Sequence, residues 1–189
     1  MVQPCFLHVP IKRIMYNIVY CVLCIVYCVL CVFLYDFYHI IYAFLLFFAV
    51  WKFGKKGLVW SAAYFITFAL CDYISAGIIK EAVMRLRPCN DPINALHVRL
   101  LVECGSGYSF PSSHATNHFG MSLFLYFTFG SFYKWIKPIV LIWAALVAYA
   151  QVYVGVHYPI DVFTGAIIGS IIGFLVAKLF NKFVTLKSY

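Results

Sequence analysis

Charged side chains are scarce in this sequence of 189 residues: Asp, Glu, Lys and Arg together make up 11% of it, while 65% of its residues are hydrophobic. Soluble domains average about 25% charged and roughly 45–50% apolar residues. A soluble fold of this length could not hide so much apolar surface. Runs that alternate apolar and polar residues, the pattern of membrane β-strands, are also missing. These absences predict an all-α protein, a polytopic bundle of transmembrane helices.

Other absences narrow the function. The net charge is +8, yet no Lys/Arg cluster is interleaved with stacking aromatics, so a nucleic-acid site is not expected. No group of carboxylates accompanies the histidines in the pattern that hard metal ions prefer, and we expect neither a metal nor another cofactor. Four cysteines repeat with helical spacing in the first apolar run. Zinc-ligating thiolates would be costly in hydrocarbon, so packing between helices is the favoured interpretation of Cys21, Cys24, Cys28 and Cys31.

The apolar runs predict about six helices in a single membrane domain over residues 1–189. Their approximate ranges are 14–35, 38–51, 58–79, 113–132, 138–156 and 160–180. The first run could instead be a signal peptide, but it is longer than the usual apolar region of about 7–15 residues and no A-x-A-like site follows it. Residues 14–56 carry no motif, whereas residues 57–180 form a core that holds all the candidate chemistry.

The basic residues orient the predicted helices. With six spans, ten of them share one side of the membrane: Lys12, Arg13, Lys52, Lys55, Lys56, Lys134, Lys137, Lys178, Lys182 and Lys187. The other side has four: Lys80, Arg85, Arg87 and Arg99. Because basic residues concentrate in cytoplasmic loops, the second side is predicted to face the periplasm or the outside of a cytoplasmic (inner) membrane.

Three polar clusters lie at helix ends on that outer side. Residues 80–88 end the third helix, residues 110–114 begin the fourth, and residues 151–161 form the turn between the fifth and sixth. A bundle can bring these ends together because they share one membrane face. A single polar residue at an interface is usually just hydrogen-bonded to its surroundings. Three clusters on one face of so apolar a protein indicate a functional site.

The first two clusters favour phosphate binding. Lys80 and Arg87 offer fixed positive charge and several donors for phosphoryl oxygens. Ser112 stands where the fourth helix begins, and the free backbone N–H groups of a helix N-terminus bind anions. The sequence therefore predicts a cradle for a phosphate group.

Two histidines suit a nucleophile and a general acid: His114 and His157. Asp161 lies four residues after His157, where a carboxylate can hold one imidazole nitrogen and leave the other free. His118 could pair with His114 around a metal, although an ordinary hydrogen-bonded histidine is the simpler interpretation. Asp72, inside the third helix, fits equally well a structural bond to Ser or Tyr hydroxyls and a supporting role beneath Lys80.

Together these residues resemble the type 2 phosphatidic acid phosphatases, a membrane family related to the vanadium haloperoxidases. The family pattern is K-x6-RP, then PSGH, then SR-x5-H-x3-D. The matching residues here are Lys80, Arg87, Pro88, Pro111, Ser112, His114, His157 and Asp161. The resemblance covers about residues 70–180 and implies a metal-independent phosphatase acting on a lipid.

The resemblance also implies roles for the matching residues. His157 is similar to the family nucleophile that forms a phosphohistidine, Asp161 to its orienting partner, and His114 to the acid that protonates the leaving oxygen. The phosphate cradle would consist of Lys80, Arg87, Ser112 and the backbone of Ser113, which stands in place of the family glycine.

One departure concerns the phosphate cradle. Gln151 stands where the family pattern has Arg, so a hydrogen-bond donor without charge replaces a cation. We hypothesise from the sequence that Arg85 supplies the missing charge. The simpler alternative is that Gln151 hydrogen-bonds the phosphate and Arg85 is solvated.

The expected substrate is a lipid phosphate or diphosphate, with undecaprenyl diphosphate as the first choice; an outward-facing site fits lipid A equally well. Lipid A, phosphatidylglycerophosphate and phosphatidic acid are alternative substrates. A non-catalytic relative that binds lipid phosphates is a second class of function, favoured only by Gln151. A haloperoxidase is a third, and the predicted spans argue against it because that branch is soluble.

Cys89 and Cys104 both lie in the long outer loop, which we place in an oxidising compartment. A disulfide between them would hold Arg87 and Ser112 in register. The alternative is two free thiols.

Overall fold

The structure is a computed structural model that describes residues 42–184 and residue 186. The packing described below is that of the compact unit Ala49–Tyr189. The described residues form five long helices, two three-residue 3-10 helices (Ala95–His97 and Phe129–Ser131) and no strand. The long helices are α1 (Tyr42–Phe53), α2 (Lys55–Val83), α3 (Ser113–Phe127), α4 (Ile136–Tyr153) and α5 (Pro159–Phe183). The all-α prediction is confirmed.

Three of these helices, α2, α4 and α5, are long and apolar enough to cross a membrane. Their outward side chains are large and apolar; on α5, for example, Phe163 is 63% and Ile171 54% exposed. Such surfaces are stable only against lipid, so this is an integral membrane protein. The predicted first helix, 14–35, and its four cysteines lie outside the described residues. The count of six helices and the single membrane domain therefore stay predictions.

Helix α2 continues four residues further than the sequence indicated, because Lys80–Val83 form a last α-helical turn before Met84 adopts a left-handed conformation with φ 48°. The outer loop thus begins at residue 84, and Lys80 lies on a helix. Just before that turn, Tyr73–Ile79 form a π-helix. A π-helix has more residues per turn than an α-helix, and it rotates Lys80 away from the direction an uninterrupted α-helix would give it.

A seam of small residues joins α3 to α5. Gly165, Gly169 and Gly173 recur every four residues along one face of α5. A Cβ atom on Gly169 would collide with the carbonyl oxygen of Thr116, and one on Gly173 with that of Gly120. The two backbones therefore approach as closely as the small-xxx-small pattern of membrane helices allows.

This close approach continues to the start of both helices. A Cβ on Gly165 would lie 2.6 Å from the carbonyl oxygen of Ser112. One turn earlier, the backbone N–H of Ser112 donates to the carbonyl oxygen of Asp161 at 3.0 Å. The seam thereby fixes the N-termini of α3 and α5 against each other, and both carry predicted site residues.

An aromatic cluster holds the opposite end of the bundle. Trp60 of α2 is fully buried, stacks on Phe129 with ring centroids 4.2 Å apart, and donates from Nε1 to Thr128 Oγ1 at 3.0 Å. At the same end, the side chain of Asn181 near the end of α5 donates to the carbonyl oxygen of Phe127 at 2.9 Å. The helix ends on this side carry basic residues, among them Lys55, Lys56, Lys137 and Lys182.

Candidate active site

The loop between α2 and α3 is closed by a disulfide between Cys89 and Cys104, whose Cα atoms are 6.0 Å apart. Further along, the backbone N–H of Ser109 donates to the carbonyl oxygen of Arg85 at 2.7 Å. The loop therefore leaves α2 and returns beside its own beginning. This path places the residues that follow Lys80 next to those that precede Ser112.

Arg87 links this loop to the turn between α4 and α5. Its Nη1 lies 3.4 Å from His157 Nε2 and 3.4 Å from the carbonyl oxygen of Val156, and its Nη2 donates to the carbonyl oxygen of Ser106 at 3.3 Å. Burial lowers the pKa of Arg87, while Asp161 acts against that shift. Even so, an arginine, whose pKa ordinarily lies far above neutral pH, remains a cation at working pH.

His157 and Asp161 form a buried pair. Their residues are 3% and 0% exposed, and His157 Nδ1 lies 3.6 Å from Asp161 Oδ2. No hydrogen bond saturates Nδ1, while Nε2 points toward the guanidinium of Arg87. Burial lowers the pKa of His157, and the nearby Asp161 carboxylate opposes this effect. The ring is therefore held neutral, with one nitrogen toward a carboxylate and the other toward a cation.

Three further groups hold the Asp161 carboxylate. Ser109 Oγ donates a short hydrogen bond to Oδ2, and the backbone N–H of Tyr158 donates to the same oxygen at 2.9 Å. Arg85 Nη1 donates to Oδ1 at 3.0 Å. The sequence predicted none of these contacts. Tyr158 adjoins a motif residue, but no spacing marks Ser109.

The start of α3 contributes the predicted serines and a histidine. Ser112 is fully buried and caps the helix by accepting from the backbone N–H of Ala115 at 3.4 Å. The hydroxyl of Ser113 is buried and has no partner within the described part of the chain. His114 is exposed at the edge of the cluster, where the charges of Lys80 and Arg87 act on it. The N-terminus of α3, where the first backbone amides have no carbonyl partner within the helix, thus faces the same region as Lys80 and Arg87.

Lys80 and Gln151 complete the predicted set. Lys80 is half-buried on the last turn of α2, within electrostatic reach of Arg87, Asp161 and Asp72. Gln151 lies near the end of α4, and its backbone carbonyl oxygen accepts from the backbone N–H of His157 at 3.2 Å. The structure therefore brings the predicted residues together at one end of the bundle, while the roles assigned to them stay predictions.

Asp72 and His118, for each of which the sequence allowed two interpretations, have defined hydrogen-bond partners. Asp72 accepts from Asn117 Nδ2 at 3.2 Å, an amide rather than the Ser or Tyr hydroxyl expected from the sequence. His118 Nδ1 accepts from Trp143 Nε1 at 3.3 Å. Within residues 42–184, no three His, Cys, Asp or Glu side chains come together in an arrangement suited to a metal ion.

The protein is thus an integral membrane helical bundle that gathers two histidines, a lysine and an arginine at one end. The chain belongs to the PAP2 superfamily, whose sequence profile matches residues 58–185. The family predicted from the motifs is thereby confirmed. The matched range begins in α2 and ends beyond α5, so it includes every residue of the site.

The chain is similar to several curated phosphatases. The chain is 35% identical over 130 residues to a lipid A 4'-phosphatase of Bacteroides thetaiotaomicron, covering 68% of this chain and 57% of the relative. It is 37% identical over 102 residues to an undecaprenyl-diphosphatase of Sulfolobus acidocaldarius, covering 54% and 47% of the two chains. The chain thus spans only about half to three fifths of the length of these relatives.

Solved structures agree on the fold. The crystal structure of Aquifex aeolicus LpxE superposes with a TM-score of 0.59 at 28% identity, covering 74% of this chain and 77% of that one. A transmembrane PAP2-type phosphatidylglycerolphosphate phosphatase from Bacillus subtilis gives a TM-score of 0.58 at 25% identity, covering 79% and 71%.

Proposed function

We propose that this protein is a lipid phosphatase that works through a phosphohistidine on His157. The observation that carries the proposal is the placement of the two ring nitrogens of His157. Nε2 lies 3.4 Å from the Arg87 guanidinium, where a phosphoryl group would bind, and Nδ1 faces the buried Asp161 carboxylate at 3.6 Å. A carboxylate on one nitrogen keeps the proton there and leaves the lone pair on the other.

The proposed reaction has two steps. In the first, the lone pair of His157 Nε2 attacks phosphorus, the bond from phosphorus to the lipid oxygen breaks, and His114 gives that oxygen a proton. In the second, His114 takes a proton from water, the water oxygen attacks phosphorus, and the P–N bond breaks to release phosphate. Lys80, Arg87 and the amides at the start of α3 would stabilise the negative charge on the equatorial oxygens.

Two substrates have specific support. Lipid A phosphate is favoured by two relatives, the Bacteroides thetaiotaomicron enzyme and a lipid A 4'-phosphatase of Porphyromonas gingivalis that is 33% identical over 142 residues. Undecaprenyl diphosphate, the substrate expected from the sequence, is supported by the Sulfolobus acidocaldarius relative. We put lipid A phosphate first because its two relatives combine 33–35% identity with coverage of 68% and 73% of this chain. The undecaprenyl-diphosphatase relatives pair 37% identity with 54% coverage, or 28% identity with 73% coverage.

The decisive assay measures phosphate release by the purified protein from lipid A, undecaprenyl diphosphate, phosphatidylglycerophosphate and phosphatidic acid. We expect turnover that survives EDTA, is blocked by vanadate and is lost in His157→Ala, with the folded state checked by gel filtration. Strict dependence on added Mg²⁺ would contradict the mechanism. A protein that binds these lipids but is inactive until Gln151→Arg is introduced would favour the non-catalytic alternative.

We further propose that the site faces the periplasm or the outside of a cytoplasmic membrane. Supporting this, the site lies at the end of α2 and the start of α3, whereas Lys55, Lys137 and Lys182 lie at the other ends of their helices. Basic residues concentrate on the cytoplasmic side of membrane helices. The substrate phosphate would then be presented from the outer leaflet.

A further inference from the structure

The Asp161 carboxylate contacts a cation from outside the family motifs, the guanidinium of Arg85. Arg85 Nη1 and Asp161 Oδ1 are 3.0 Å apart, and their side chains are 38% and 0% exposed. The cation thus stands at the edge of the site and reaches a carboxylate with no access to solvent. A buried carboxylate without a partner is strongly disfavoured, so this contact bears directly on the charge of Asp161.

Arg85 is held from several directions. Its guanidinium carbon lies 4.1 Å from the centre of the Tyr158 ring, and its carbonyl oxygen accepts from the backbone N–H of Ser109. The hydroxyl of Tyr158 in turn donates to Asp91 Oδ2 at 2.9 Å. Hydrogen bonds from the side chain of Asn94, then from the backbone of Ile93 and from Tyr158, lower the pKa of Asp91 to about 2. Asp91, which binds the hydroxyl of Tyr158, therefore keeps its negative charge at any working pH.

We propose that Arg85 is a positioning residue that acts on the nucleophile through Asp161, holding the carboxylate in place and compensating its negative charge so that the His157 ring stays neutral. The proposal rests on the proposed function, in which His157 Nε2 must carry a free lone pair. Oδ1 of Asp161 is taken by Arg85, while Oδ2 is shared by Ser109 and Tyr158 on the side of His157. Oδ1 of Asp161 therefore binds the Arg85 cation, and Oδ2 binds the neutral donors on the side of His157.

The charges around His157 give the sign of the effect. Asp161 faces the ring from α5, Arg87 from the outer loop, Lys80 from α2 and His114 from α3. Without Arg85, the negative charge of Asp161 would be less compensated and would favour the imidazolium. The pKa of His157 should then rise, by about one unit for a charge at this distance and exposure.

The geometry also separates this role from the one that the sequence suggested. There, Arg85 would replace the cation lost at Gln151 and contact the phosphate directly. In the structure its guanidinium is bound to Asp161 and stacked on Tyr158. A direct phosphate contact predicts that Gln151→Arg rescues an Arg85 variant, whereas positioning through Asp161 predicts that it does not.

The experiment compares Arg85→Gln, Arg85→Lys and a matched control, Arg99→Gln, which removes the same charge from an exposed position in the same loop. The pKa of His157 is read by NMR of ¹⁵N-histidine-labelled protein in detergent, with the signal assigned by its loss in His157→Gln. This reading needs no turnover, so it stands even if no lipid substrate is hydrolysed and the proposed function fails.

We expect the pKa of His157 to rise by about one unit in Arg85→Gln and to stay near the wild-type value in Arg85→Lys and Arg99→Gln. In an active enzyme, the acid limb of kcat/KM should move upward with it, and kcat/KM should fall by about one to two orders of magnitude. An unchanged pKa in Arg85→Gln overturns the proposal, as does rescue of its activity by Gln151→Arg. If Arg85→Gln does not fold, a raised pKa in Arg85→Lys, which keeps the charge, overturns it equally.

Discussion

At the scale of single residues, the site depends on how one imidazole is held. His157 is buried between a carboxylate on its Nδ1 side and a guanidinium on its Nε2 side. Both the low polarity of the site and the Arg87 charge favour the neutral ring. A neutral ring with a directed lone pair is the form that can attack phosphorus.

The first prediction concerns pH. Because the pKa of His157 lies below its ordinary value of about 6.5, the neutral form should persist into more acidic solution. The acid limb of kcat/KM should therefore have its midpoint below pH 6.5, after correction for the separately measured ionisation of the substrate phosphate. A limb that remains above that pH after the correction would contradict the assignment of His157.

The second prediction concerns Ser109, which no motif marks. Ser109→Ala removes a donor from the fully buried Asp161 carboxylate. Leaving a buried acceptor short of a donor costs about 1–3 kcal/mol. If the loss falls on the transition state, kcat should drop by roughly 5- to 150-fold. The control is Ser131→Ala, whose hydroxyl donates to the carbonyl oxygen of Phe127 at the other end of the bundle; equal effects in both variants would argue against a role for Ser109.

At the scale of elements, the contact between α3 and α5 decides whether the proposed phosphate cradle at the start of α3 lies beside His157, the proposed nucleophile. The glycines on α5 let the backbone of α3 come close enough for Ser112 to bond the backbone of Asp161. A helix pair with larger side chains in this seam would separate the anion-binding N-terminus from His157. The packing of α3 against α5 therefore also sets the geometry of the proposed active site.

The third prediction tests this seam. Gly169→Ala places a methyl group against the carbonyl oxygen of Thr116, so the helices must move apart. Overpacking of this kind costs about 1–3 kcal/mol. We expect a lower melting temperature in detergent and a loss of activity. Gly77→Ala is the matched control, because its methyl would meet only the flexible end of the Tyr73 side chain, at 3.3 Å; a control as unstable as Gly169→Ala would refute the explanation.

The fourth prediction concerns the outer loop. Cys89 and Cys104 enclose a loop of 15 residues, and closing such a loop stabilises a fold by roughly 3 kcal/mol in the chain-entropy model. Replacing both cysteines by serine should lower the melting temperature and weaken activity, since Arg87 lies at the base of this loop. Mass spectrometry of non-reduced peptides should detect the linked pair. Finding both thiols free in protein from an oxidising compartment would show that the bridge does not form.

At the scale of the whole molecule, the two ends of the bundle differ in chemistry. One end gathers His114, His157 and the cations Lys80 and Arg87; the other has the Trp60 cluster together with Lys55, Lys134 and Lys137. Between them, the helices present apolar side chains outward. A lipid can therefore keep its tail in the bilayer while its phosphate reaches the end that holds His157.

The fifth prediction is the topology. A cysteine-labelling reagent that cannot pass the membrane should reach Asn94→Cys in intact cells and miss Lys134→Cys, each compared with the parent protein. Asn94 lies in the outer loop, and Lys134 in the connection between α3 and α4 at the other end. The opposite labelling pattern would place the site on the cytoplasmic side.

The sequence by itself determined the membrane setting, the all-α class and the family, because continuous apolar runs and exact motif spacings are local properties of the chain. It also named Lys80, Arg87, His157 and Asp161, which the structure brings to one end of the bundle. The repeat of Gly165, Gly169 and Gly173 was equally present in the sequence and predicts close helix packing, but the spacing alone names no partner helix.

Only the tertiary structure decided which groups hold Asp161. Arg85 and Ser109 precede it by 76 and 52 residues, and no periodicity relates positions so far apart in the chain. The sequence assigned Arg85 to the phosphate because a charge was missing at Gln151; the folded chain places it on the carboxylate. A fully buried charge is stable only beside a counter-charge. Which residue provides the counter-charge for Asp161 depends on how the loop returns to α3 rather than on any local pattern.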